Sequence, residues 1–163
     1  MKIELKKSRK THDIRNCIIW LYGSFSPLLL GKKGYHCNPD GLALNLSIQD
    51  LGKEETMVEL HRISIFLRDA LHNITLFQNS FFSKNTEWIA TLNNVVMEFK
   101  VLISNLNCYL CRTNGWSQVA TGSYHVNLET KTLFRKKVIG CRLIMKYKNF
   151  ISQLLKRFKP ASF

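Results

Sequence analysis

Apolar residues recur along this chain at the spacing of a helix face. Met57, Leu60, Ser64, Leu67, Leu71 and Ile74 follow steps of 3, 4, 3, 4 and 3, and Ile63 and Phe66 widen the stripe. Such steps return to one side of a 3.6-residue helix. They predict a helix over 54–78, with Glu54, Glu55 and Glu59 in the first turns, where the macrodipole favours negative charge. Trp88, Leu92, Val95, Phe99, Leu102, Leu106 and Tyr109 repeat the pattern and predict a helix over 86–113, capped by Asn85 or Thr86. Only about seven residues separate these two helices, so they are expected as antiparallel neighbours. A last helix is predicted over 132–158 and closes at Pro160. It carries one stripe of Phe134, Val138, Cys141 and Met145 and a second of Leu143, Tyr147, Phe150 and Leu154.

Upstream the pattern is weaker. Residues 1–8 read as a basic tail, and residues 9–26 as a short helix that Pro27 stops. Residues 31–53 contain Gly31, Gly34, Pro39, Gly41 and Gly52 and form a long connection. Residues 114–130, rich in Gly, Ser, Thr and Asn, form a second. Long connections after the first and third helices, with a short one after the second, specify an up-up-down-down bundle. The expectation is a single all-α domain over 1–163, a long-chain four-helix bundle whose first helix is shortened.

Charge changes the picture of the last helix. The chain is 163 residues long with a formal net charge of +13. Ten Lys or Arg and no Asp or Glu lie between Lys131 and Lys159. Such a balance suits polyanions: nucleic acid, heparan-type glycan, anionic membrane or an acidic receptor face. The aromatic residues of that helix fall on its apolar stripes, and no zinc-finger, RRM or helix-turn-helix spacing is present. A basic helical module binding nucleic acid, glycan or anionic membrane is therefore kept as the alternative reading, with no nucleic acid expected. No run of 18 apolar residues spans a membrane. The basic start followed by the apolar run Cys17–Leu30 superficially resembles a leader, but Trp20, Gly23 and Pro27 interrupt it.

Candidate chemistry is sparse. There is no GxSxG, P-loop or HExxH, the histidines are scattered, and no enzyme, cofactor or metal site is expected. His61 and His72, 11 residues apart, share a helical face. Cys108-Tyr109-Leu110-Cys111 has the spacing of a redox pair or half a zinc site, but it lies at the end of a helix rather than after a strand, so one or both thiols read as bridging to the N-terminal region. Five cysteines and the sequons Asn45-Leu46-Ser47 and Asn73-Ile74-Thr75 point to an oxidising compartment.

Several segments in order resemble the leukaemia inhibitory factor and oncostatin M family. Val58-Glu59-Leu60-His61-Arg62-Ile63 and Leu71-His72-Asn73-Ile74-Thr75 resemble its second helix, including the sequon. Ser104-Asn105-Leu106-Asn107-Cys108-Tyr109-Leu110-Cys111 resembles the end of the third, and Leu133-Phe134-Arg135-Lys136-Lys137-Val138-Ile139-Gly140-Cys141 the start of the fourth. His36-Cys37-Asn38-Pro39 resembles the cysteine of the first crossover, and Asp13-Ile14-Arg15-Asn16-Cys17 the cysteine segment before the first helix. Cys17 and Cys37 are only 20 residues apart, less than the family's first helix needs.

The resemblance implies a secreted, monomeric, glycosylated cytokine. It would join the shared signalling receptor of the interleukin-6 family to a leukaemia-inhibitory-factor- or oncostatin-M-type receptor and start Janus-kinase signalling. It implies disulfides from Cys37 to Cys141 and from Cys17 to Cys108 or, second, Cys111, leaving one thiol over. The glycans would sit on Asn45 and Asn73. The family's fourth helix opens with a Phe, and a Lys three residues later, that anchor the specific receptor. Phe134, Lys137 and the intervening Lys136 are the matching residues here. The competing reading makes Phe134 the first residue of the core stripe and Lys137 a solvated lysine.

Overall fold

The computed structural model describes residues 14–23, 38–81, 86–113, 124, 126 and 132–158. Helix α1 covers residues 14–23, α2 is Lys53–Phe81, α3 is Thr86–Thr113 and α4 is Leu133–Phe158. A 3-10 turn, Pro39–Gly41, lies in the first crossover. The basic tail 1–8, residues 9–13 and 24–26 of the expected first helix, Pro27, Cys37, Asn85, Pro160 and most of 114–130 lie outside the described residues, as does the side chain of Trp88.

The core stripe of α2 is the one its spacing predicts: Met57, Leu60, Ser64, Leu67, Leu71 and Ile74 are all buried. On α3, Leu92, Val95, Phe99, Leu102, Leu106 and Tyr109 are buried. On α4 the buried positions are Leu143, Ile144, Tyr147, Phe150, Ile151 and Leu154. The other expected stripe of α4 is not core: Phe134 is 75% exposed, and Val138, Cys141 and Met145 are only partly covered. A continuous 3,4 repeat follows one face, and six steps of 100° carry Phe134 about 120° away from buried Gly140.

The packing order follows from side-chain contacts. Helix α2 packs on α3 and on α4. The Cys17 sulfur on α1 accepts a hydrogen bond from Asn105 Nδ2 on α3 at 3.8 Å, and Tyr147 Oη on α4 donates to Leu21 O at 3.2 Å. Around the bundle the order is therefore α1, α3, α2, α4, and α3 and α4 stand on one diagonal. This is the all-α, up-up-down-down bundle, in which every neighbouring pair is antiparallel.

The first crossover is laid along α4. Leu44, Leu46 and Ile48 are buried, and the residues between them turn outward or lie part-covered. That period of two is the signature of an extended segment with one face on the core. Three cations of α4 fasten its backbone: Arg142 Nη1 donates to Gly41 O at 3.1 Å, Lys146 Nζ to Leu44 O, and Arg157 Nη2 to Leu51 O at 2.7 Å. Carbonyls that no helix or sheet can satisfy are thereby satisfied by charged donors. Asp50, with φ 63°, makes the left-handed turn that delivers the chain to α2.

Candidate functional site

The start of α4 is capped by Thr132, whose Oγ1 accepts from Arg135 N at 3.3 Å and whose carbonyl accepts from Lys136 N at 2.9 Å. No acidic residue occupies the first turn, where Arg135, Lys136 and Lys137 follow one another. Cations there oppose the helix macrodipole, at a cost of about 0.3–1 kcal/mol each. A sequence selected only for helix stability would place Asp or Glu at these positions.

Phe134 is the most exposed large hydrophobic among the described residues, at 75%. The reading that made it the start of the core stripe is overturned by that exposure. Lys137, three residues on, is exposed and shares its face. Lys136 is half-buried and, two residues from Phe134, lies near the opposite side of the helix. The start of α4 thus unites Phe134 and Lys137 and sets Lys136 apart. The rest of the α4 charge is not one open basic face, since Arg142, Lys146 and Arg157 are engaged by the crossover.

A second exposed apolar group lies on α1, where Ile19, Trp20 and Tyr22 are 45%, 40% and 43% exposed. Spacing alone did not single them out. Ile14, Ile18 and Leu21 form the inward side of the described turns, at 3,4 spacing, which leaves Ile19, Trp20 and Tyr22 on the other faces.

The cysteines divide. Cys141 is disulfide-bonded, and its expected partner, Cys37, lies outside the described residues. The expected Cys17–Cys108 bridge is not made: both are thiols, as is Cys111. Cys17 is turned into the core against Asn105, whereas Cys108 lies on the outward side of α3. Both sequon asparagines, Asn45 and Asn73, are exposed.

Polar groups cluster where the start of α2 meets the end of α3. His61 Nε2 lies 2.6 Å from Asn107 Oδ1, and Tyr109 Oη donates to Glu54 Oε1 at 3.3 Å. Tyr124 Oη donates to Glu59, which also pairs with Arg62 at 3.3 Å, and the Tyr124 ring packs on Phe66 with centroids 5.7 Å apart. These contacts fasten the second crossover to α2. Burial, then the bond to Glu59, pushes the Tyr124 phenol up to about 12, so it stays a donor. His61 is buried and His72 exposed, so the two do not form a pair. Among the described residues no group of three or more His, Cys, Asp or Glu converges as a metal site, and no helix is long and apolar enough to cross a membrane.

A four-helix bundle with two long crossovers, one of them strapped along the last helix, and with exposed aromatic groups on its first and last helices has the form of a helical signalling ligand. The family model described as the LIF / OSM family matches residues 18–158. The match runs from α1 to the end of α4, and the chain belongs to this cytokine family.

Proposed function

We propose that this chain is a secreted cytokine that brings together two transmembrane receptor chains. One is the shared signalling receptor of the interleukin-6 family; the other is of the leukaemia-inhibitory-factor or oncostatin-M type. Their approach starts signalling by the Janus kinases bound to them inside the cell. The observation that carries the reading is Phe134, a phenyl ring 75% exposed at the start of α4 with Lys137 beside it. An exposed ring has little to lose on truncation in the free protein and much to gain in a receptor pocket, where the neighbouring ammonium pairs with an acidic rim. The family resemblance assigns the specific receptor to this pair. It assigns the shared receptor to the first helix, where Ile19, Trp20 and Tyr22 supply the exposed apolar surface.

The test is the double variant Phe134→Ala, Lys137→Ala against immobilised ectodomains of the candidate specific receptors. Binding should weaken by about 2 kcal/mol or more, roughly 30-fold. Far-UV circular dichroism and melting temperature should stay those of the parent. Parent-like affinity would remove the site from α4, and a lower melting temperature would give Phe134 a structural role instead.

A further inference from the structure

The sequon at Asn45 lies inside the segment that α4 clamps. Asn45 is exposed, but Leu44 and Leu46 on either side of it are buried, as is Ile48 just past the sequon serine. Ser47 is only partly exposed, and its Oγ accepts from Gln49 N at 3.2 Å. Lys146 Nζ holds the carbonyl of Leu44, the residue before the acceptor. Arg142 Nη1 holds Gly41 O at 3.1 Å upstream, and Arg157 Nη2 holds Leu51 O at 2.7 Å downstream. Sugar transfer to a sequon needs the Asn amide and the hydroxyl two residues on to enter the enzyme together, on backbone that has left its neighbours. The closed crossover presents the Asn45 side chain and withholds the rest.

The two sequons are withheld in different ways. Thr75 is buried within α2, and its Oγ1 donates to Leu71 O, four residues back, at 3.0 Å. Asn73 is therefore released only by unwinding a helix that packs on both α3 and α4. Asn45 needs only the crossover to lift, which frees Leu44, Leu46, Ile48 and the three clamps and leaves the helices in place. Openings of this local kind cost less than global unfolding. The two windows also differ during synthesis. The Thr75 bond closes as α2 forms. The clamps lie 101, 102 and 106 residues beyond the carbonyls they hold, so the crossover cannot close until α4 has been made, roughly 5–20 s later at ordinary synthesis rates.

We propose that Asn45 is a gated N-glycosylation site: it accepts an oligosaccharide only while the first crossover stands off α4, and the three clamps set how long that lasts. This deepens the secretory reading above and rests on it. In the transfer, Asn45 Nδ2 attacks the anomeric carbon of a lipid-diphosphate-linked oligosaccharide. A C–N bond forms and the bond from that carbon to the diphosphate oxygen breaks. One amide proton passes to solvent, and the lipid diphosphate leaves with the electron pair. Because the Asn45 side chain faces outward, the crossover closes on α4 again with the glycan attached.

The test supplies both enzyme and donor, so its outcome is independent of whether cells secrete the chain. The unglycosylated full chain, folded and oxidised, is incubated with a purified eukaryotic oligosaccharyltransferase and a lipid-diphosphate chitobiose donor. Occupancy at each site is followed by peptide mass spectrometry, and a peptide of residues 38–52 gives the rate of the open sequon. Asn45 in the folded parent should react roughly tenfold or more slowly than the peptide. Lys146→Met should speed it roughly tenfold, because transfer to a segment that recloses quickly follows the population of its open form. Gly41→Ala should also speed it with α4 unaltered, since an added Cβ would displace the Arg142 guanidinium lying against Gly41. Asn73 should stay unmodified in every folded form. Four results would overturn the proposal: an unmodified peptide; a parent as fast as the peptide; variants no faster than the parent; or Asn73 gaining sugar in step with Asn45, which would trace the effect to general unfolding. Failure of the secretory reading shows separately, as a chain made in cells that carries sugar at neither site.

Discussion

Ser64 sits at the centre of the α2 stripe, fully buried, with no hydrogen-bond partner for its Oγ among the described residues. A buried hydroxyl without a partner costs stability, and alanine is the better helix former. Ser64→Ala should raise unfolding free energy by about 0.5–1 kcal/mol, seen as a higher urea midpoint at unchanged slope. His61 works in the opposite sense with pH. Burial lowers its pKa, the Asn107 bond partly opposes this, and Arg68 lowers it further. Its folded pKa therefore lies below the unfolded value of 6.5. The unfolded chain takes up the proton first, so stability is full above that value and falls as pH drops below it towards the folded pKa. His61→Gln should flatten this part of the pH–stability profile, measured by thermal melts between pH 7.5 and roughly pH 5. An unchanged profile would place the acid sensitivity elsewhere. At this scale the burial of Ser64 was legible, because its place in a 3,4 repeat outweighs its polarity. The exposure of Phe134 was not legible in the spacing, because two apolar stripes on α4 overlap in sequence and only the position of the neighbouring helices selects between them; the family resemblance alone pointed to it.

Among the elements, the first crossover shows most clearly how charge is spent. Ten basic residues at the end of the chain looked like a surface for polyanions. Three of them instead hold the carbonyls of Gly41, Leu44 and Leu51, one after another along α4. Lys146 is the central clamp, half-buried with its ammonium on the Leu44 carbonyl. Lys146→Met keeps the stem and removes the donor. It should cost about 1–2 kcal/mol and speed proteolytic cleavage within residues 42–51. If cleavage stays as slow as in the parent, buried Leu44, Leu46 and Ile48 hold the crossover without the clamp. The crossover was predicted only as a long connection. Its Leu44, Leu46 and Ile48 alternate in the sequence, but three apolar residues among glycines and polar residues read as a strap only when there is a helix groove to receive them.

For the whole molecule the two sequons make a joint prediction. Asn73 is exposed on α2, while Thr75 of the same sequon is buried, its Oγ1 donating to Leu71 O at 3.0 Å. Asn45 points outward from the crossover between buried Leu44 and Leu46. Both sites should carry glycans when the chain passes through a secretory route. Asn45→Gln and Asn73→Gln should each reduce the apparent mass by one glycan and leave helicity unchanged. A parent-like mass for both variants would argue against that route.

The bundle class and the inward faces of α2 and α3 were determined by sequence alone, because a helix that buries one side must repeat its apolar residues at 3.6. The order of long and short connections then leaves one connectivity. The destination of each charge and each thiol was a tertiary matter. Arg142, Lys146 and Arg157 find carbonyls about 100 residues away in sequence, at separations of 101, 102 and 106. Cys17 is buried against Asn105, whereas Cys108, one turn further along α3, is exposed. Periodicity records which residues share a face of one helix. Which faces meet is set by the packing of four helices at once, and only there does Phe134 separate from the core it resembles in sequence.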